Sequence, residues 1–84
     1  MPRYFFDTDD GAAPFMDDEG SELPDDQAAR HEASRTMAEM AKDHIPSGAP
    51  QQHITIRVRD EHGEALVRLD LSFAITPLVT LNQS

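Results

Sequence analysis

The chain has 84 residues, sixteen acidic against seven basic side chains for a formal charge of −9, and no cysteine. That length makes a single domain near the smallest that one core stabilises unaided, and without cysteine there are no disulfides, thiolate metal sites or cysteine nucleophiles. The negative field repels phosphate backbones and anionic lipids, which disfavours nucleic-acid and membrane-surface partners, and no stretch approaches the ~20 apolar residues of a membrane span.

The first residues, Met1 to Asp7, lack the apolar run of a signal peptide and turn acidic at once. A soluble, cytoplasmic protein is the expectation. Residues 3–9 read as a strand, aromatic-rich at Tyr4-Phe5-Phe6 and followed by the turn signal Asp9-Asp10-Gly11. Residues 13–16 read as its returning partner. With Asp10-Gly11 as a two-residue turn, Asp9 faces Ala12, Phe6 faces Phe15 and Phe5 faces Met16. Phe6 and Phe15 then share the core face. Pro14 cannot donate to a ladder, so the second strand is predicted to be an edge.

Residues 17–22 read as an acidic loop, after which Leu23-Pro24-Asp25-Asp26 opens a helix. The helix is predicted to end near His44, because Pro46 disfavours helical geometry at Ile45. At helical spacing Ala29, Ala33, Met37, Met40 and Ala41 form one face, with Glu32, Arg35, Glu39 and Lys42 opposite. The Ala-rich face suits close packing on a sheet. Residues 46–52 read as a plain connector.

Residues 53–59 alternate strictly, with Ile54, Ile56 and Val58 on one face, and Asp60 to Gly63 form a turn. Residues 64–73 place Ala65, Val67, Leu69, Leu71 and Phe73 on one face. With 60–63 as the loop, Val58 faces Ala65, Ile56 faces Val67, Ile54 faces Leu69, Arg59 meets Glu64 and His53 meets Asp70. The fold class is therefore α+β, ordered β-β-α-β-β: a four-stranded, mostly antiparallel sheet with one long helix on one face. One domain covers 1–84, with a core in 3–73 and an apolar tail in 74–84.

Met1-Pro2-Arg3-Tyr4-Phe5-Phe6, Asp10-Gly11, residues 18–25 (Asp-Glu-Gly-Ser-Glu-Leu-Pro-Asp) and residues 28–33 (Ala-Ala-Arg-His-Glu-Ala) together resemble a family of small alphaproteobacterial proteins of unknown function. The resemblance covers roughly the first half of the chain. It implies a bacterial, cytoplasmic setting and the same element order, and it carries no functional residue. A second likeness is to bacterial antitoxin domains of the HicB type, which also set an acidic Asp-Gly hairpin before an Ala/Glu-rich helix. Those domains have a third strand before the helix, which the element order above lacks.

Candidate chemistry is sparse. Asp7, Asp9, Asp10, Asp17, Asp18 and Glu19 offer carboxylate oxygens of the kind hard cations take. Counted from Asp7, however, Gly11 stands one place early for a calcium loop and Asp18 stands where Glu is required. Turn formation and solubility account for these residues, and no metal or cofactor is assigned. None of the histidines has a helical partner at ligand spacing. His53 opposite Asp70 is the single base–orienter pair, on the outer sheet face, where cross-strand pairing explains it. No catalytic residue is assigned, and an enzyme is not expected. Arg57, Arg59 and Arg68 make a basic outer face without the aromatic platforms that read RNA.

What remains is apolar surface: Leu66 on the outer face, and Ile75, Leu78, Val79 and Leu81 in the tail. A small sheet either protects its edges or pairs through them. The expected function is a non-enzymatic interaction or regulatory module, with a homodimer or another protein as partner. Divalent-cation binding through the acidic loops is one alternative, and an RNA-binding or antitoxin-like role is another.

Overall fold

The strict alternation of residues 54–58 and 67–73 becomes two long neighbouring strands in the computed structural model, which describes residues 1–79. The elements are β1 (Arg3–Asp9), β2 (Pro14–Phe15), β3 (Ser21–Glu22), α1 (Asp26–His44), a 3-10 turn (Ile45–Ser47), β4 (Gln51–Arg59) and β5 (Ala65–Ala74). The sheet runs β2-β1-β4-β5 with every neighbouring pair antiparallel, and β3 pairs separately with β1. The fold is α+β, in the order expected except for the added β3.

Helix α1 begins where its sequence can cap it. The Asp25 carboxylate accepts from the Ala28 N–H at 2.9 Å, and Lys42 places positive charge in the last turn. Its small face buries Ala29, Ala33 and Met37 against Ile54, Ile56 and Val58 of β4. Each of those aliphatic side chains contributes about 1.5–3 kcal/mol by leaving water. Tyr4 joins this core because it stands two residues before Phe6 on the same face of β1. Its hydroxyl donates to the Asp26 carboxylate at 2.8 Å, so the buried phenol is satisfied at the start of the helix.

Several expectations need correction. The first hairpin has a longer loop: Asp9 pairs with Pro14 and Thr8 with Phe15, because the Asp10 carboxylate accepts from the Ala12 and Ala13 N–H groups and holds residues 10–13 as the turn. Phe6 faces Val58 instead of Phe15, and Phe15 is exposed. Residues 17–22 are not wholly loop, since Ser21–Glu22 form β3 opposite Arg3 and Tyr4. Ile45 is helical despite the following proline, which sits inside the 3-10 turn. The connector is shorter, because β4 already begins at Gln51.

From Val67 onward the second hairpin keeps its predicted faces at a different register. The Asp60 N–H donates to the Glu64 carbonyl at 2.9 Å, which shortens the loop by one residue. A β-bulge between Val58 and Arg59 then absorbs one more, as Arg59 pairs with Ala65 and Val58 with Val67. Two one-residue shifts return the strand from Val67 onward to its predicted face, but Ala65, expected on the core face opposite Val58, stands opposite Arg59 and is exposed. Ile56 therefore meets Leu69, Ile54 meets Leu71, and Arg57 meets Arg68.

Candidate interaction surface

The two edges of this sheet are built differently. On the β1 side, β2 pairs with Thr8 and Asp9, and β3 pairs with Arg3 and Tyr4. Between them the Phe6 N–H donates to the Asp17 carboxylate at 3.1 Å, so a side chain fills the gap in the ladder. The same carboxylate accepts from the Glu19 and Gly20 N–H groups, at 3.1 and 3.0 Å. Gly20 has φ +75°, and a Cβ there would lie 2.8 Å from the Arg3 Cγ and 3.0 Å from the Tyr4 carbonyl. Only glycine lets this loop lie so close to β1.

Arg59 locks the sealed edge to the sheet. Its guanidinium donates to both oxygens of Asp7, at 2.6 and 3.0 Å, and to the Asp17 carbonyl at 3.0 Å, while lying over the Phe5 ring at 5.0 Å. The hydrogen bond from Arg59 holds the Asp7 carboxyl below its ordinary value, and the Asp17 N–H adds to it. Burial pushes the Asp17 carboxyl up, but the Gly20, Phe6 and Glu19 N–H groups outweigh it and the net direction is down.

The other acidic candidates serve turns. Asp9 accepts from the Gly11 N–H at 2.8 Å, and Asp10 lies 3.7 Å from His44 at the far end of the helix. Asp18 and Glu19 are exposed in the loop before β3. Among the described residues no three His, Asp or Glu side chains converge as metal ligands. The structure thus brings Asp7 and Asp17 together around an arginine and leaves Asp10 at the opposite end of the hairpin.

The three arginines of the outer face are not equivalent. Arg59 is held as described. Arg68 pairs with Asp70 of its own strand at 3.1 Å. Arg57 is exposed and stands opposite Arg68, a like-charge pair that costs stability. Asp70 also accepts from Thr55 at 3.1 Å and lies 3.2 Å from His53, whose other ring nitrogen is 3.0 Å from Ser72. The expected His53–Asp70 contact is present, diagonal instead of directly opposite.

On the other side β5 ends the sheet. It is ten residues long, and among the described residues no strand pairs with its outer side. The Ile75 N–H donates to the Pro50 carbonyl at 2.8 Å, one step past the Gln51–Ala74 pair. Bonded and non-bonded pairs alternate along an antiparallel ladder. Phe73, Leu71, Leu69 and Val67 therefore direct their backbone groups to β4, whereas Ala74, Ser72, Asp70 and Arg68 direct theirs outward. On the helix side Val67, Leu69, Leu71 and Phe73 stay half-buried, while Val58, Ile56 and Ile54 beside the first three are fully buried. The core is unfinished along this row.

Further apolar surface adjoins both ends of β5. Leu66, the residue absorbed by the bulge, is 37% exposed. It borders a cleft of about 210 Å³ that also touches Asp26, Ala29, Arg30 and Val67. Beyond the strand Ile75, Leu78 and Val79 are exposed, and Leu81 lies outside the described residues. Among the described residues no helix is long and apolar enough to cross a membrane. The flanking apolar residues are visible in the sequence but the edge itself is not, since periodicity does not reveal strand order. The available signal was the pair of opposite charges at Arg68 and Asp70, spaced two apart on one face.

Residues 3–72 match a family model described as a domain of unknown function, DUF6894. No curated protein and no solved structure matches the chain.

Proposed function

The chain belongs to the DUF6894 family, whose function is unknown, and from its own surfaces we propose that it is a non-enzymatic protein-interaction module that works through the open edge of β5. The observation that carries this reading is the contrast between the edges. One is closed by two short strands, a carboxylate and an arginine, and the other is left long, regular and bordered by an unfinished apolar row. A strand added there would pair with the outward backbone groups and cover Val67, Leu69, Leu71 and Phe73. Ile75, Leu78 and Val79 extend the same surface beyond the strand. A cytoplasmic setting is part of the proposal, in keeping with a chain that has no cysteine.

Ser72→Pro tests the edge. The lost N–H points outward, so no bond to β4 is removed, and proline is tolerated at such positions. Cross-linking of the full chain to its partners, its own copies included, should disappear in Ser72→Pro while the unfolding midpoint stays close to that of the unsubstituted protein. Undiminished cross-linking in a folded Ser72→Pro would overturn the reading.

A further inference from the structure

We propose that the occupant of the β5 edge is a second copy of this chain, paired antiparallel about a two-fold axis at Leu69. This deepens the reading of β5 as the interaction edge, on which it rests, by naming the partner and the register.

The register follows from which groups are free. In an isologous pair residue i meets j and j meets i, and only outward-directed residues form the new bonded pairs. Within the regular stretch beyond the bulge, Arg68 and Asp70 must therefore each meet an even-numbered residue of the second copy, which places the axis on a single residue. Centring the axis on Arg68, or on Asp70, sets that residue against its own like charge. Centring it on Leu71 or Ser72 leaves Asp70 against a neutral side chain. Centring it on Leu69 sets Arg68 against Asp70 of the second copy, and symmetry repeats the pair.

The helix side agrees with the same centre. Leu69 meets its own equivalent, and Val67 meets Leu71, so half-buried apolar side chains face one another along the row. The axis is perpendicular to the sheet and keeps both helices on one face. The resulting sheet runs unbroken from β2 of one copy, through two β5 strands, to β2 of the other. The bulge at Leu66 bounds the regular stretch, and because Ser72 faces Leu66 of the second copy it does so at both ends. The arrangement also relieves a strain within each copy. Arg68 stands against Arg57 with one carboxylate of its own strand, and the second copy brings another.

Alternating charges on an edge strand can equally serve to repel other strands. The two roles separate cleanly, because repulsion gives a monomer and complementarity a register-specific dimer.

The test uses the full chain, with solution mass by light scattering across a concentration series and native mass spectrometry. The unsubstituted protein is expected at twice the monomer mass. Arg68→Asp sets the introduced carboxylate against Asp70 at both symmetric pairs, and Asp70→Arg sets the introduced guanidinium against Arg68 at both. Each variant alone should therefore be monomeric. Mixed in equal amounts they should form a dimer containing one of each, because both cross-strand pairs are then opposite in charge. Leu69→Cys gives a second readout if Asp70→Arg folds poorly. Non-bonded partners lie within disulfide reach, and the chain has no other cysteine. Leu69→Cys should oxidise to a covalent dimer much faster than Leu71→Cys, which faces Val67.

A monomer at all concentrations overturns the second copy as occupant, and the Ser72→Pro cross-linking then decides separately whether β5 serves another partner. A dimer lost in Ser72→Pro but not restored by the mixture overturns the register while leaving the edge. A dimer indifferent to Ser72→Pro and to both charge variants overturns the inference and the edge together.

Discussion

Replacing Arg59 by alanine should be among the most damaging changes to a side chain outside the core. The guanidinium makes two bonds to Asp7 and one to the Asp17 carbonyl, and the ion pair is only 24% and 16% exposed on its two sides. A hydrogen bond to a charged group contributes about 1.5–3 kcal/mol net, and the ring contact with Phe5 adds about 0.5–1 kcal/mol. These bonds share one side chain and do not add independently. A loss of about 2–4 kcal/mol is a reasonable total. A chain of this length has roughly 4–12 kcal/mol to lose, from ~0.05–0.15 kcal/mol per residue. The midpoint should therefore fall by at least ~8 °C, at about 4–8 °C per kcal/mol. Arg35→Ala is the control: its contacts with Glu32 and Glu39 are short, at 2.6 and 2.8 Å, but lie in open solvent. It should barely move the midpoint.

The pH dependence follows with a definite sign. The Asp7 carboxyl is held below its ordinary value, chiefly by Arg59. Its contribution is complete above the ordinary carboxylate range near ~4 and is lost as pH falls through the lowered folded value. The gap between the unsubstituted protein and Arg59→Ala should narrow in acid. Thermal unfolding followed by circular dichroism at neutral and acid pH checks both claims. Equal midpoints at neutral pH would refute the reasoning, as would a gap that stays constant into acid.

Gly20→Ala should destabilise by more than ~1 kcal/mol in denaturant unfolding, because φ +75° and the Tyr4 carbonyl at 3.0 Å both resist a Cβ; an unchanged midpoint would mean the loop does not lie against β1. Tyr4 is the single tyrosine, and its hydrogen bond to Asp26 pushes its phenol up to about 12. Absorbance should show no titration near the ordinary ~10, and the stability that Tyr4 contributes should be lost as pH rises from that value towards the folded one. A phenol titrating normally in the folded protein would contradict the contact. Calcium or magnesium at millimolar concentration should leave the melting point unmoved, since Asp9, Asp10 and Asp17 already accept backbone N–H groups; a clear upward shift would restore the cation reading.

Much of the fold was legible because side-chain period and burial are tied together. The alternation through Ile54, Ile56 and Val58 and the Ala29–Ala33–Met37 stripe identified the two layers that meet in the core. Hairpin registers were less legible, because they depend on backbone hydrogen bonds that polar side chains redirect. Asp10 lengthened the first loop, while the second hairpin's register moved through the Asp60–Glu64 bond and the bulge after Val58. Phe15 looked like core on apolarity alone, yet its strand lies beyond the helix's cover. Arg59 looked like part of a basic face because its partners, Asp7 and Asp17, are distant in sequence. The open edge is a property of strand order, which local pattern does not encode.

Residue-resolved amide exchange along β5, in concentrated unsubstituted protein, tests the central claim most directly. If β5 is an occupied interaction edge, the outward N–H groups of Arg68, Asp70 and Ser72 should be protected like those of Leu69 and Leu71, which bond to β4. Alternating behaviour, with Leu69 and Leu71 slow but Arg68, Asp70 and Ser72 exchanging as freely as an exposed loop, would show an empty edge and contradict the account.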